Sequence, residues 1–256
     1  MPSFLNFRVI FALMLREMTT RYGRSMGGYF WAVAEPVAMI ALMSYIFSLA
    51  LRSPDLGTNF PLFFATGFVA FNFFMDLANY ASHAVNMNRP LLSYPRVTPM
   101  DAVLARTALQ FVTLCVVSVL ILTGIVVFYD LHTIYDFGVM IEAVALASML
   151  GFGTGVTNSV IFTYFPTYEN VWRIATRPLF LISGIIIIPE KMPGFIQDVL
   201  WYNPLVHAVG MMRQGFYPSY HADWISHLYI GGLGLGLTTI GLFLIYFHRN
   251  TIVEGR

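Results

Sequence analysis

Apolar runs of about 20 residues recur along this chain, each long enough to cross roughly 30 Å of hydrocarbon as a helix rising about 1.5 Å per residue. They fall at about Tyr29 to Leu51, Pro61 to Ser82, Ala102 to Phe128, Phe137 to Phe165, Trp172 to Ile188 and Trp224 to His248. The fifth, around RPLFLISGIIIIP, is short and ends at Pro189. The reading is an all-α integral membrane protein of six transmembrane helices in one domain, 1–256. Composition agrees: 57% of residues are hydrophobic and 11% charged, against about 25% charged in soluble domains.

The distribution of basic residues predicts the orientation. Six spans put both termini on one side. The N-terminal segment (Arg8, Arg16, Arg21, Arg24), the second connection (Arg89, Arg96, Arg106), the fourth (Arg173, Arg177) and the tail (Arg249, Arg256) hold 11 of the 14 Lys and Arg. Arg52, Lys191 and Arg213 fall on the other face. By the positive-inside rule both termini are cytoplasmic. The opening MPSFLNFRVI lacks the order of a cleaved signal peptide, so the first span is expected to act as the targeting signal. A formal net charge of +1 argues against a nucleic-acid partner.

Residues 1–27 read as an interface helix and linker ahead of a bundle at 28–250. Phe4, Phe7, Ile10, Phe11, Met14 and Met18 recur at three- and four-residue spacing among polar residues, the pattern of a helix lying in the membrane interface. Such a helix serves as an anchor or as a docking surface. The second connection, NMNRPLLSYPRVTPMD, holds Pro90, Pro95 and Pro99, which forbid one continuous helix and allow a short one between breaks. It predicts a compact cytoplasmic bump suited to a partner's groove.

The outer segment 189–223 contains two apolar pieces, Phe195 to Trp201 and Leu205 to Tyr217, parted by Asn203 and Pro204. Neither piece is long enough to span. They are expected to form a re-entrant helical pair capping the outer end of a pathway; the alternative is a pair of amphipathic helices on the outer surface.

Glu35, Asp76 and Glu142 lie within spans, where acids are costly and face protein interior or water. A structural pair or a water-facing position is the expected role. Arg24, Gly28, Trp31 and Glu35 would share one helix face if the helix continued through the glycines. The glycines at 151, 153 and 155 and at 231, 232, 234 and 236 permit close helix packing. Cys115 is alone, so no intrachain disulfide forms. The six histidines show no ligand-like spacing, and no metal is expected. The only lysine, Lys191, stands between Glu190 and Met192, which excludes a P-loop. Neither a nucleophile elbow nor a zinc-protease helix occurs. If transport is ATP-driven, the motor is another polypeptide.

The segment VIFALMLREMTTRYGRSMGGYFWAVAEP at 9–36 resembles the start of type-2 ABC transporter permeases of bacterial capsule polysaccharide exporters, where an RE..TRYG...GY.W...EP pattern precedes the first span. TYFPTYENVWRIATRPLFLISGIIIIPEKMP and WYNPLVHAVGMMRQGFYP extend the likeness over most of the chain, and are shared more loosely with O-antigen and teichoic acid exporters. Gly210 departs from the family, in which an acid commonly stands seven positions after the asparagine of the NP pair.

The resemblance implies a homodimer joined to two copies of an ABC ATPase, which binds ATP and Mg while this chain binds no cofactor. It implies a glycolipid-linked polysaccharide as cargo, with a periplasmic co-polymerase and an outer-membrane export protein as partners. Arg16, Glu17 and Arg21, with Asn88, Arg89, Pro90 and Leu91, would contact the ATPase. Arg24, Tyr29, Trp31, Glu35 and Phe180 would border the substrate path or a lateral gate between the first span of one copy and the fifth of the other. Asn203, Pro204, His207 and Arg213 would form the outer gate. A secondary transporter would show repeated halves with broken helices, of which only the short fifth span is a sign. A membrane-embedded transferase would need a clustered catalytic constellation, which the scattered acids do not supply.

Overall fold

The computed structural model describes residues 3–22, 28–92, 97–131 and 134–254. Every regular element among them is helical: α1 (Ser3–Tyr22), α2 (Gly28–Ala50), α3 (Phe60–Met87), α4 (Pro99–Phe128), α5 (Phe137–Tyr164), α6 (Pro166–Thr176), α7 (Leu179–Ile182), α8 (Gly194–Trp201), α9 (Pro204–Phe216) and α10 (His227–Glu254), with short 3-10 turns at Arg89–Leu91 and Pro189–Lys191. Five of these, α2, α3, α4, α5 and α10, are long and apolar enough to cross a membrane. They coincide within a few residues with the first four apolar runs and the last.

Polar residues at the run ends start the helices. Asn59 accepts from the amide of Leu62 at 3.1 Å ahead of α3, and Asp136 accepts from Gly138 and Val139 at 3.0 and 3.2 Å ahead of α5. Thr98 and Asp101 form a reciprocal capping box at α4, with Pro99 in the first turn. Each cap satisfies amides that a helix start leaves without intrahelical partners.

The bundle is built around α3, which is buried along most of its length. Its contact with α5 depends on glycine. A Cβ at Gly151 would sit 2.5 Å from the carbonyl oxygen of Phe74, and one at Gly155 2.5 Å from that of Ala78. Gly153 points the other way, where a Cβ would lie 2.6 Å from the backbone nitrogen of Thr238 on α10. Three glycines at alternate positions thus let α5 approach α3 and α10 together, and packing rather than hydrophobicity holds helices in lipid. By contrast α2, α4 and α10 leave large apolar side chains such as Leu49, Val119 and Tyr246 exposed, as helices facing lipid or another chain do.

The fifth run departs from the single span expected at Trp172 to Ile188. It divides into α6 and the one-turn α7, then continues without helix to the 3-10 turn at Pro189. Pro178 supplies the physical reason: it lacks an amide hydrogen and so removes the helical bond to the carbonyl of Ile174. Gly184 then takes φ +76°, a left-handed turn that other residues adopt only under strain. The carbonyls freed by this unwinding are met by Arg213 of α9, which is 1% exposed and donates to Gly184 O at 2.5 Å and Ile185 O at 2.8 Å. Its guanidinium lies 4.1 Å from the centroid of Phe63. Gly67 makes room, since a Cβ there would fall 3.2 Å from Arg213 Nη2.

The two apolar pieces of the outer segment form α8 and α9, hinged at Asn203 and Pro204 as expected, but their environments differ. α9 is buried against α3 and α5, whereas α8 exposes Phe195 and Val199.

Arg213→Met is expected to destabilise the fold by about 1–3 kcal/mol for each carbonyl it orphans, with Arg213→Lys losing less; thermal melting of the detergent-solubilised protein measures both. Gly151→Leu and Gly155→Leu are each expected to cost at least about 1–3 kcal/mol through overpacking against α3, whereas Gly232→Leu, where a Cβ meets nothing within 4 Å, is expected to melt near wild type.

Candidate functional site

One end of the bundle gathers the residues expected to couple to a motor. Arg106, about two turns into α4 and 8% exposed, is the junction. Its Nε lies 3.6 Å from Glu17 Oε1 of α1, its guanidinium stands 5.2 Å from the Tyr80 ring centroid, and Nη1 donates to the sulfur of Met87. Arg106 thereby adds a charged link from α3 and α4 to the N-terminal helix, which also packs along α4. The other side of α1 exposes Phe7, Phe11, Leu15 and Met18, an apolar stripe at helical spacing.

Glu17 therefore serves the joint within the chain, and Arg16 beside it is exposed. The side chain of Arg21 and the whole of Arg24 lie outside the described residues, as does the side chain of Tyr29. Asn88 is buried and closes α3 by donating to Ala84 O at 3.0 Å. The 3-10 turn that follows holds Arg89 and Pro90 outward, with Leu91 half-buried, and the buried Leu92 packs with Val103 and Ile245 in a second small core. The proline-broken connection is thus a knob with an exposed tip and an anchored base.

α3 stands between two polar cavities. On its α2 and α4 side a cavity of about 310 Å³ is bordered by Glu35, Asn72, Asp76, Gln110 and Ser118. Asp76 accepts from Gln110 Nε2 at 2.8 Å. Glu142 is met by His227 Nδ1 at 2.7 Å, so two of the three intramembrane acids have partners on a neighbouring helix, in line with a structural role. Trp31 is exposed on α2, while Phe180 packs edge-on to Phe71 at 5.6 Å and borders the second cavity, between α3 and α6. The expected path residues therefore divide between α2 and the broken fifth segment.

At the other end three of the four outer-gate candidates, Asn203, His207 and Arg213, each hydrogen-bond to backbone. Asn203 caps α9 by accepting from Leu205 at 3.0 Å and donates to Ile182 O at 3.0 Å, tying α9 to the end of α7; Pro204 opens α9. His207 is fully buried: Nε2 is 2.8 Å from Trp201 O, and Nδ1 accepts from the Ser226 amide at 3.1 Å. The carbonyl accepts and the amide donates, which assigns the proton to Nε2. His207 thus links α8, α9 and the approach to α10. At Gly210, where the family commonly has an acid, a Cβ would lie 2.8 Å from Ile225 Cδ1 and 3.2 Å from Trp224, so a larger residue requires those side chains to shift.

Acids outside the spans complete this end. Asp55 accepts from the Ile188 amide at 3.0 Å and Lys191 Nζ at 2.7 Å; Glu190 accepts from Tyr220 at 2.8 Å and Trp224 Nε1 at 2.7 Å. Burial, then the bond to Glu190, pushes the Tyr220 hydroxyl pKa up, so it remains a donor. Sequence reasoning did not assign these links, nor the junction role of Arg106. The latter had a signal: an arginine one turn inside a predicted span is as costly as an acid there and demands a partner.

Five membrane-length helices, packed through glycine and joined by a broken segment that a buried arginine braces, define a polytopic membrane protein. The profile of the ABC-2 type transporter family matches residues 8–217, and the chain belongs to that family of transporter membrane subunits. It is 32% identical over 235 residues to the polysialic acid transport protein KpsM of Escherichia coli, covering 91% of this chain and 90% of that protein. It is 26% identical to the capsule polysaccharide export inner-membrane protein BexB of Haemophilus influenzae, over 93% of this chain and 90% of that one. The O-antigen export system permease protein RfbA of Klebsiella pneumoniae is 24% identical over 93% and 91%. With its apolar helices, this kinship makes the chain a multi-pass protein of the inner membrane.

A double-mutant cycle of Glu17→Gln and Arg106→Gln is expected to give a coupling of about 1 kcal/mol in thermal or denaturant melting. Arg106→Gln alone should cost more than Glu17→Gln, because it also abandons Tyr80 and Met87.

Proposed function

We propose that this chain is the permease subunit of an ATP-driven exporter carrying lipid-linked capsular polysaccharide across the bacterial inner membrane. It works as a homodimer with two copies of a separate ABC ATPase, which holds ATP and Mg; this chain supplies no catalytic group. The relatives named for polysialic acid transport and capsule export support the cargo class. Export to the cell surface brings in a periplasmic co-polymerase and an outer-membrane protein.

The observation that carries the mechanism is the Arg106 junction, through which α1, α3 and α4 meet at one charged group. Closure of the ATPase dimer pushes on α1 and on the Arg89–Pro90 tip, and the junction passes that displacement to α3 and α4. Both termini lie in the cytoplasm, the side favoured by the arginines. α6, α7 and the unwound stretch to Pro189 make the sixth crossing together, and its break is the deformable part of the wall. α9 caps the outer exit of a channel at the dimer axis. Differential contacts in the two states carry the coupling between ATP and transport.

Arg89→Glu is expected to lower glycan-stimulated ATP hydrolysis and export in the reconstituted complex while leaving membrane insertion intact; unchanged coupling would overturn the assignment of the knob. O-antigen export is a second reading, favoured by the likeness to RfbA, and the glycolipid that stimulates hydrolysis by the purified complex decides between them.

A further inference from the structure

Between the last turns of α3 and the break after α6 lies a cavity of about 470 Å³, within the range of small-ligand sites. Its α6 wall carries Glu169, Arg173 and Arg177 at four-residue spacing. Arg177 keeps helical angles of φ −58° and ψ −46°, so all three lie on one face of that helix. Across the cavity α3 presents Asn79 and His83, and the aromatic rings of Trp172 and Phe180 form part of the lining.

The charges on this wall are unevenly satisfied. Glu169, its one acid, sits 3.3 Å from His83 Nε2. Arg173 donates to Asn170 through one nitrogen, which leaves the rest of its guanidinium free to bind. Arg177 is exposed and meets no acceptor among the described residues, and the indole N–H of Trp172 is buried without one. A cavity with surplus cationic and neutral donors, its acid already engaged, is built to receive an acceptor-rich anion. The guanidinium fork matches carboxylate or phosphate, and the adjoining rings offer apolar faces to a sugar.

We propose that this cavity receives an anionic sugar unit of the exported polymer, with Arg173 and Arg177 binding its carboxylate or phosphate and so selecting acidic over neutral chains. The assignment rests on the export reading above and names the cargo's charge. The test uses the permease–ATPase complex in nanodiscs with three fluorescent probes of equal length: a galacturonate oligomer, a phosphodiester-linked glycan and a neutral malto-oligosaccharide.

At least one anionic probe is expected to bind roughly tenfold or more tightly than the neutral one, as one charged hydrogen bond of about 1.5–3 kcal/mol requires. The tighter of the two identifies the anion. Raising ionic strength should weaken the anionic probes selectively. Arg177→Gln should lower their affinity about tenfold, with Arg177→Lys, which keeps the charge without the fork, in between; melting of each variant near wild type shows the fold intact. Equal binding of neutral and anionic probes, or full anionic affinity in Arg177→Gln, overturns the proposal. A wild-type complex whose ATP hydrolysis responds to glycans but binds all three probes alike loses only the acidic-unit assignment. A complex that responds to none loses the export reading and this assignment with it.

Discussion

A buried arginine stapled to two backbone carbonyls makes the rest of the architecture possible. The fifth apolar run is too short and too interrupted by Pro178 and Gly184 to be a continuous helix, and carbonyls freed inside a membrane protein have no water to turn to. Arg213 meets those of Gly184 and Ile185 from α9 while resting on Phe63 of α3. One side chain thereby joins the broken segment, the buried short helix and the central helix. Because α9 also packs against α5, these elements form a single connected unit at one end of the bundle. A buried cation without a carboxylate partner is unusual; here the carbonyl dipoles and an aromatic face replace the water it has lost.

The two ends of the molecule use charge differently. At one end Asn203 and His207 bind backbone, and Asp55 and Glu190 collect donors from the loops. At the opposite end charge links separate helices. Arg106 holds α1 to the α3–α4 pair, while Arg16 and Arg89 remain at the surface. Between the ends, glycines of α5 let it approach the backbones of α3 and α10 closely.

The helices on either side of that body were legible because a membrane imposes a length. Runs such as Phe137 to Phe165 became helices with nearly the same limits, and the Asn203–Pro204 hinge parted α8 from α9 where turn chemistry required. The fifth run misled: hydropathy alone does not reveal that one helix ends before Pro178, that only the single turn of α7 follows, and that the chain then continues without helix to Pro189. Its repair lies 29 residues away at Arg213, a distance no local pattern spans. The intramembrane acids were flagged by their cost, but the partners Gln110 and His227 emerge only when α4 and α10 are in place.

Sequence by itself determined the solvent, the helical class, the basic side of the membrane and the family, because hydrophobic length, charge asymmetry and a long motif are all local properties. Tertiary structure decided which polar groups meet. Arg106 gains its partner only when α1 lies beside α4, and Glu169 and Arg177 read as a scattered pair until they line one cavity with Asn79 and His83 of α3. Partner choice for a charged group depends on which helices come within a few ångströms, and in this bundle glycines at 151, 153 and 155 set that approach.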